Sequence, residues 1–452
     1  MRLLIRFVEG SILWGLLLPL AAACATPPQE PVTLTLAEAI DLALKNNHEL
    51  VIGGHKVAEM TSAKHVAASD YYPKVTNSSS YLHLTETNIL QFATGSFGTF
   101  PGLGPLPSSD LIVTQGKLDQ VFSRSEVAQP ITQLIKIHDA QRAARADESA
   151  SRENLESLRN QIALAVRQLY YGLLAVQLDQ KTASEEMHVA EEQLSESEQD
   201  VKRGNELEVT ILGAKTAMLQ AKQDELTTRI RSSDLMAQFK EVIGLPNTTP
   251  VQLDDQVFAP VDLPGKEECI RLAQSATPGI KSAEETVRKA EAGVAAAKAE
   301  YIPDITAFGR WDYQNGVAFL FHNYGVVGIG LTYTLFEGGK KKAVLNERQA
   351  QRDQAFENLR RLKDEAAVNL QKAFDKIDQS RSLVEVAAQA LTLREEGDRL
   401  AGVQLGYGVL VSSKRSEAVG ALAKARADLL KARLGYLESQ AEVAALIGRL
   451  PR

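Results

Sequence analysis

The sequence predicts a mainly α-helical chain with a two-fold internal repeat, two very long coiled-coil helices and four β-strands suited to a membrane β-barrel. Three observations predict this. Key positions of residues 36–76, from Ile40 to Thr76, find matching residues 230 positions later. Mostly apolar residues keep a three-or-four spacing from 155 to 201, and again 204 residues later, the mark of a sustained heptad within each long helix. Two short segments in the second half, 303–313 and 327–336, alternate in a period of two, and two less regular strand segments, 74–84 and 124–133, occupy corresponding places in the first.

The chain begins with a segment that is not part of the fold. Arg2 and Arg6 precede the short apolar run SILWGLLLPLAAA, which ends at Cys24. A positive end, a short apolar core and small residues before a cut describe a secretory signal over residues 1–23. The run is too short for a spanning helix. Leu-Ala-Ala-Ala-Cys reads as a lipobox with lipidation of Cys24, although Ala21 stands where leucine is usual; plain cleavage after Ala23 or Ala25 fits as well. Either route takes the chain out of the cytoplasm.

The repeat sets the organisation. With a shift of 230, Ile40 lands on Ile270, Ala43 on Ala273, Leu50 on Ile280, Pro73 on Pro303 and Thr76 on Thr306. Further on the shift is 204: Leu158 matches Leu362, Tyr170 matches Phe374, Gly204 matches Gly408 and Ile243-Gly244 matches Ile447-Gly448. The 26-residue difference falls in residues 85–122, whose Gly, Pro and Ser content predicts a loop. The first repeat spans 24–246, the proline-punctuated segment 247–265 links it, and the second repeat spans 266–452.

Each repeat then predicts the same elements. A short helix and a second helix end at Pro73 or Pro303. Strands follow at about 74–84 and 124–133, and at about 303–313 and 327–336. A long helix at 134–202 carries the seam Leu155, Leu158, Ile162, Val166, Leu169, Leu173 and Val176, continuing to Val201. Its counterpart at 339–404 carries Leu362, Leu370, Ala373, Ile377, Val384 and Leu391, with polar interruptions that include Asp398. At 1.5 Å per residue each rod is about 100 Å long. Tips at 203–209 and 405–411 turn each rod into a return helix.

The strands carry the second constraint. Val327, Ile329, Leu331, Tyr333 and Leu335 share one face, and Gly328, Gly330, Thr332 and Thr334 the other. Strands of about ten residues with one apolar face suit a transmembrane barrel; a half-buried hairpin in a soluble protein shows the same alternation. The strand at 124–133 contains Pro130, which a central strand tolerates poorly. Four strands cannot close a barrel, since small barrels need about eight. An open sheet in lipid leaves backbone groups unpaired, so in a membrane several chains must share one barrel.

With these parts in place the chain resembles the TolC-like outer-membrane efflux protein family. Leu335-Phe336-Glu337-Gly338-Gly339 resembles the family's L-F-[DE]-G-G turn from last strand into long helix. The helix-Pro-strand junctions at Pro73 and Pro303 are a second marker, and Gly204, Leu212 and Ala214 a third. The resemblance covers essentially the whole mature chain. It implies a homotrimer with one shared twelve-stranded barrel and a helical tunnel, in the outer membrane of a Gram-negative bacterium and reaching into the periplasm. It also implies a passive duct for efflux or secretion, docking a periplasmic adaptor and an inner-membrane transporter.

The resemblance places control at the tips. Gly204, Asn205 and Glu206, with Tyr407, Gly408 and Val409, are the expected adaptor-docking tips. Counting from Gly408, Lys414 stands where the family is often acidic, Glu417 lies nine on, and Ser416 replaces the leucine expected eight on. Three copies of a Lys414/Glu417 pair would link chains around an aperture or set its ion preference; the two residues also suit an ordinary solvated helix face.

Other chemistry finds little support. The net charge is −7 with no long basic stripe, which argues against nucleic acid. His48, His55 and His65 are spaced by seven and ten, so no i, i+4 metal pair forms. Gly338-Gly339-Lys340 lacks the spacing of a phosphate loop, and two cysteines build no disulfide framework. No catalytic residue, cofactor or metal is expected. The competing class is a secreted coiled-coil scaffold without channel activity.

Overall fold

Capping residues fix where the first two helices begin. The computed structural model describes residues 32–254, 262–318 and 320–449. The predicted signal segment 1–23 and Cys24 lie outside the described residues, as does part of the 247–265 segment. Strand β1 (Val32–Leu34) leads into α1 (Leu36–Asn46) through a capping box between Thr35 and Glu38. Asn47 caps α2 (His48–Ser69), accepting from the N–H groups of Glu49 and Leu50. Strand β2 (Lys74–His83) follows, then four short strands: β3 (Asn88–Phe92), β4 (Thr99–Phe100), β5 (Gly104–Pro105) and β6 (Leu111–Gln115). Strand β7 (Asp119–Pro130) enters α3 (Gln133–Lys202) and α4 (Glu208–Ile243). After β8 (Val251–Leu253), the order repeats as α5 (Lys266–Ala276), α6 (Pro278–Ala299), β9 (Asp304–Asn315), β10 (Asn323–Thr332), α7 (Lys340–Gly406) and α8 (Ser412–Leu446).

Three boundaries differ from expectation. Residues 85–122 are not a plain loop: β3 pairs with β6 and β4 with β5, making a hairpin arm. The second strand is β7, ending at Pro130 rather than 133: Ile131 N–H makes a last bond to Ile305 O (2.8 Å), and Thr132 then begins the turn into α3. The fourth strand ends at Thr332, so Tyr333, Leu335 and Phe336 belong to the turn, where Gly338 and Gly339 both take left-handed φ.

The large sheet runs β10-β9-β7-β2, antiparallel throughout. Each strand pairs where its neighbour's alternation matches, so Val75, Val127, Gly309 and Val327 form one row across all four. Among the described residues, β2 and β10 are the sheet's two edges.

The helices pack side by side in two overlapping sets. In the tip half α4 packs on α3, α3 on α8 and α8 on α7; in the other half α2 packs on α3, α3 on α6 and α6 on α7. The predicted seam faces inward: Ile162, Val166, Leu173, Val176, Leu370, Ala373 and Ile377 are buried. Two cores form where short helices lean on rods. One gathers Ile40, Tyr170, Phe239 and Ile243, the other Cys269, Leu370, Ile377 and Val443. Each fully buried large side chain there contributes about 1.5–3 kcal/mol.

The duplicated position Tyr170/Phe374 shows why the copies differ. In the first core β1 pairs in parallel with β8, and Tyr170 Oη donates to the carbonyls of Leu34 (3.0 Å) and Asp254 (2.7 Å) at the ends of those strands. No such strand pair lies over Phe374 among the described residues, so a phenyl ring suffices there.

Candidate channel wall, junctions and tips

The sheet has two chemically distinct faces. One carries Ile305, Ala307, Gly309, Trp311 and Tyr313 of β9 beside Leu331, Ile329 and Val327 of β10. Val327 is 91% exposed, with Ile329 and Leu331 also exposed. On β2 and β7 this face turns polar in the middle, at Asn77, Ser79, Ser123 and Ser125. These groups satisfy one another: Asn77 Nδ2 donates to Ser125 Oγ (2.9 Å) and Ser123 Oγ (3.3 Å), and Ser79 Oγ bonds Asn77 Oδ1 (3.0 Å) and Ser123 Oγ (2.9 Å). Pairing within the sheet removes most of the cost of placing such groups away from water.

The opposite face holds a cluster of charges. Asp312 is buried between Arg124 Nε (2.7 Å) and Arg310 Nε (2.7 Å), and Glu126 sits directly across from Arg310. Phe308 on the same face lies flat over Gly328, where an added Cβ would meet the ring at 3.0 Å. Gly328 and Gly330 of β10 therefore leave room for Phe308.

At the helical end the prolines do what their position implies. Helix α6 finishes through Tyr301 N–H to Lys298 O and Ile302 N–H to Ala299 O, then Pro303 stops the ladder and β9 starts at Asp304. Tyr71 and Tyr72 repeat this before Pro73. Thr132, at the start of α3, fastens the junction from the other repeat: its Oγ1 donates to Pro303 O (2.7 Å) and accepts from Ile305 N–H (2.8 Å). Lys136 reaches Asp304 (3.1 Å) and Glu300 (3.4 Å). Burial alone would lower the Lys136 pKa, but its hydrogen bonds to these carboxylates outweigh burial and raise it. Further along, Glu148 of α3 binds Lys64 (2.6 Å) and Thr61 (3.0 Å) of α2 and Arg152 (2.8 Å). Lys64 first, then Arg152, holds the Glu148 carboxyl down to about 2.

At the far end of the rods the two tips have one geometry. Gly204 and Gly408 are left-handed, and the next residue closes the helix with N–H bonds from Asn205 to Asp200 O (2.9 Å) and from Val409 to Gln404 O (3.0 Å). Tyr407 is 81% exposed; Val409, Leu207, Asn205 and Glu206 are also exposed. Lys414 and Glu417 pair within α8 (2.8 Å), and Gln193 of α3 donates to Glu417 (3.2 Å).

Two features escaped the sequence reading. Arg415 pairs with Asp398 of α7, lying over Gly402; the polar seam position at Asp398 was the available signal. A ladder joins the rods, with Asp179–Lys431 (2.6 Å), Glu186–Lys424 (3.3 Å) and Gln193–Glu417 at seven-residue steps along α3 and α8. Burial alone would lower the Lys431 pKa, and its bonds to Asp179 and Asp428 raise it.

Comparison with known proteins follows this geometry. Residues 269–449 match the family described as outer membrane efflux protein. A search of curated sequences returns no match. Among solved structures, the Campylobacter jejuni CmeC outer membrane channel superposes with a TM-score of 0.75 at 17% identity, covering 92% of this chain and 85% of that one. The outer membrane protein VceC from Vibrio cholerae gives 0.71 at 15% identity, covering 91% and 96%. The Neisseria gonorrhoeae MtrE outer membrane channel, in its open state, gives 0.67 at 16% identity, covering 91% and 88%. The chain carries an outer membrane efflux protein domain over its second repeat and has, along its described length, the fold of the TolC-like outer-membrane channels.

Proposed function

We propose that three copies of this outer-membrane chain close into one twelve-stranded barrel continued by a helical tunnel, forming the passive exit duct of a tripartite efflux or secretion system. The carrying observation is that both borders of the chain are unfinished in the same way. Edge strands β2 and β10 lack a second partner among the described residues, and the helices at the two ends of the packing order α4–α3–α8–α7 expose apolar stripes. On α4 these are Leu212, Leu219, Leu226 and Ile230; on α7 they are Leu383, Val386, Leu393 and Leu400. Spacings of seven suit coiled-coil contact with a neighbouring copy. Among the described residues no helix is long and apolar enough to cross a membrane.

In this reading the apolar face of the sheet meets lipid and the Arg124–Asp312–Arg310 face lines the pore. The exposed tips around Leu207 and Tyr407 dock a periplasmic adaptor, which couples the duct to an inner-membrane transporter. Lys414 and Glu417 narrow the entrance, and lipidation of Cys24 adds a second membrane anchor. Purified protein tests the reading: it should run as a heat-sensitive trimer and conduct ions in planar bilayers. A monomer that conducts nothing would sink it. Replacing both Lys414 and Glu417 by alanine should raise single-channel conductance, and an unchanged value removes these residues from the aperture.

A further inference from the structure

The hairpin arm between β2 and β7 lies at the end of the sheet opposite the helices. It is an ordered object. Asp110 accepts from Thr94 N–H (2.8 Å) and Oγ1 (2.9 Å), the tilted rings of Phe92 and Phe97 meet with centroids 5.2 Å apart, and Phe97 N–H bonds Leu106 O (2.9 Å). Its base is locked. Lys117 N–H donates to Gly316 O (2.6 Å), and a Cβ on either Gly116 or Gly316 would lie 2.4 Å from a backbone carbonyl. Its surface is nevertheless apolar: Leu103 is 77% exposed, with Ile89, Phe97, Phe100 and Ile112 exposed beside it. So much apolar surface on a well-ordered arm marks an interaction site.

The topology says where the partner stands. Strand β6 continues β7 and leans on the chain's own β9–β10 turn, whereas β3 continues the edge strand β2 and pairs with β6 alone. The free side of β3 therefore overhangs the seam at which β2 would meet another copy's β10. That copy's β9–β10 turn presents Phe321, 79% exposed, and Leu320. Charge favours this occupant over a phosphate-rich lipid surface. Residues 84–118 hold one lysine, Lys117, against Glu86 and Asp110, and residues 316–322 hold no Asp, Glu, Lys or Arg.

We propose that the arm is an interface between copies, its apolar surface docking on Leu320 and Phe321 in the β9–β10 turn of the adjacent chain and clasping the barrel seam at its outer end. This rests on the shared barrel proposed above. The test co-expresses two differently tagged chains, one carrying Leu90→Cys or Leu103→Cys and the other Phe321→Cys, under mild oxidation in intact membranes. The expected result is a disulfide-linked pair containing both tags with at least one of the two arm cysteines, absent when any cysteine variant is expressed alone. A second variant, with residues 88–114 replaced by a short Gly-Ser turn, should dissociate to monomers at a lower temperature in detergent. A trimer in which neither arm cysteine links to Phe321→Cys overturns the clasp and leaves the shared barrel standing. An absence of any trimer overturns both. An arm deletion that weakens membrane retention but leaves the dissociation temperature unchanged assigns the arm to lipid and overturns the clasp.

Discussion

At the residue scale, the carboxylate of Glu148 shows how a rod of this length holds its neighbours. It bridges α3 to Lys64 and Thr61 of α2 while Arg152 supports it along its own helix. Its pKa lies at about 2, against 4.5 for the free group. The depressed value means that its stabilisation is fully present above pH 4.5 and is lost as pH falls from there through 2. Thermal melts of the wild type should therefore drop more steeply between pH 5 and 2 than those of Glu148→Gln, which has already lost the charge. At pH 7 the same variant should lose about 1–3 kcal/mol of local stability. Faster hydrogen exchange in α2 around Thr61 would register it, and unchanged exchange would show that packing alone holds α2.

Elements are joined by a few hydrogen bonds that cross between repeats. Thr132→Val keeps the shape but removes both bonds to the Pro303–Ile305 junction. The expected cost is about 1–3 kcal/mol, read as lost protection of the Ile305 amide, with the β7–β9 register otherwise intact. The α3–α8 ladder behaves differently because its pairs are half exposed. Each is worth about 0–1 kcal/mol, so single substitutions should do little. Reversing two rungs together, Lys424→Glu with Lys431→Glu, places like charges against Glu186 and Asp179 and should push the hairpins apart near the tips. Bilayer recordings should then show higher conductance than the wild type; identical traces would mean that the ladder does not restrain the entrance.

For the whole molecule, the decisive property is that one chain is a fraction of a closed object. Val327 sits mid-strand on the apolar face of β10, so Val327→Lys should cost about 2–4 kcal/mol per chain if that face meets lipid. Reduced recovery of heat-sensitive trimer from membranes would report it. Ser123→Leu, on the polar part of the same face, should be tolerated, since Asn77 keeps its bond to Ser125, Ser79 keeps its bond to Asn77, and the face gains apolar area. The contrast between the two substitutions separates a lipid-facing sheet from one folded over a soluble core.

Much of this was legible in the residues because periodicity and proline act locally. The heptad seam from Leu155 to Val201, the stops at Pro73 and Pro303, the glycines at both tips and the alternation of β9 and β10 follow from spacing and backbone sterics. The duplicated order also made the repeat visible without any structure. What the sequence could not decide depended on contacts between distant segments. The β1–β8 pair that Tyr170 caps, the Asn77/Ser123/Ser125 network that makes a polar strand tolerable, and the Thr132 fastening each join residues more than 40 positions apart. The stripes Leu212–Leu219–Leu226 and Val386–Leu393–Leu400 had the right spacing all along. Only the packing order α4–α3–α8–α7 revealed that they lie on the two free borders, because an apolar stripe looks the same in sequence whether its partner is in the same chain or the next one.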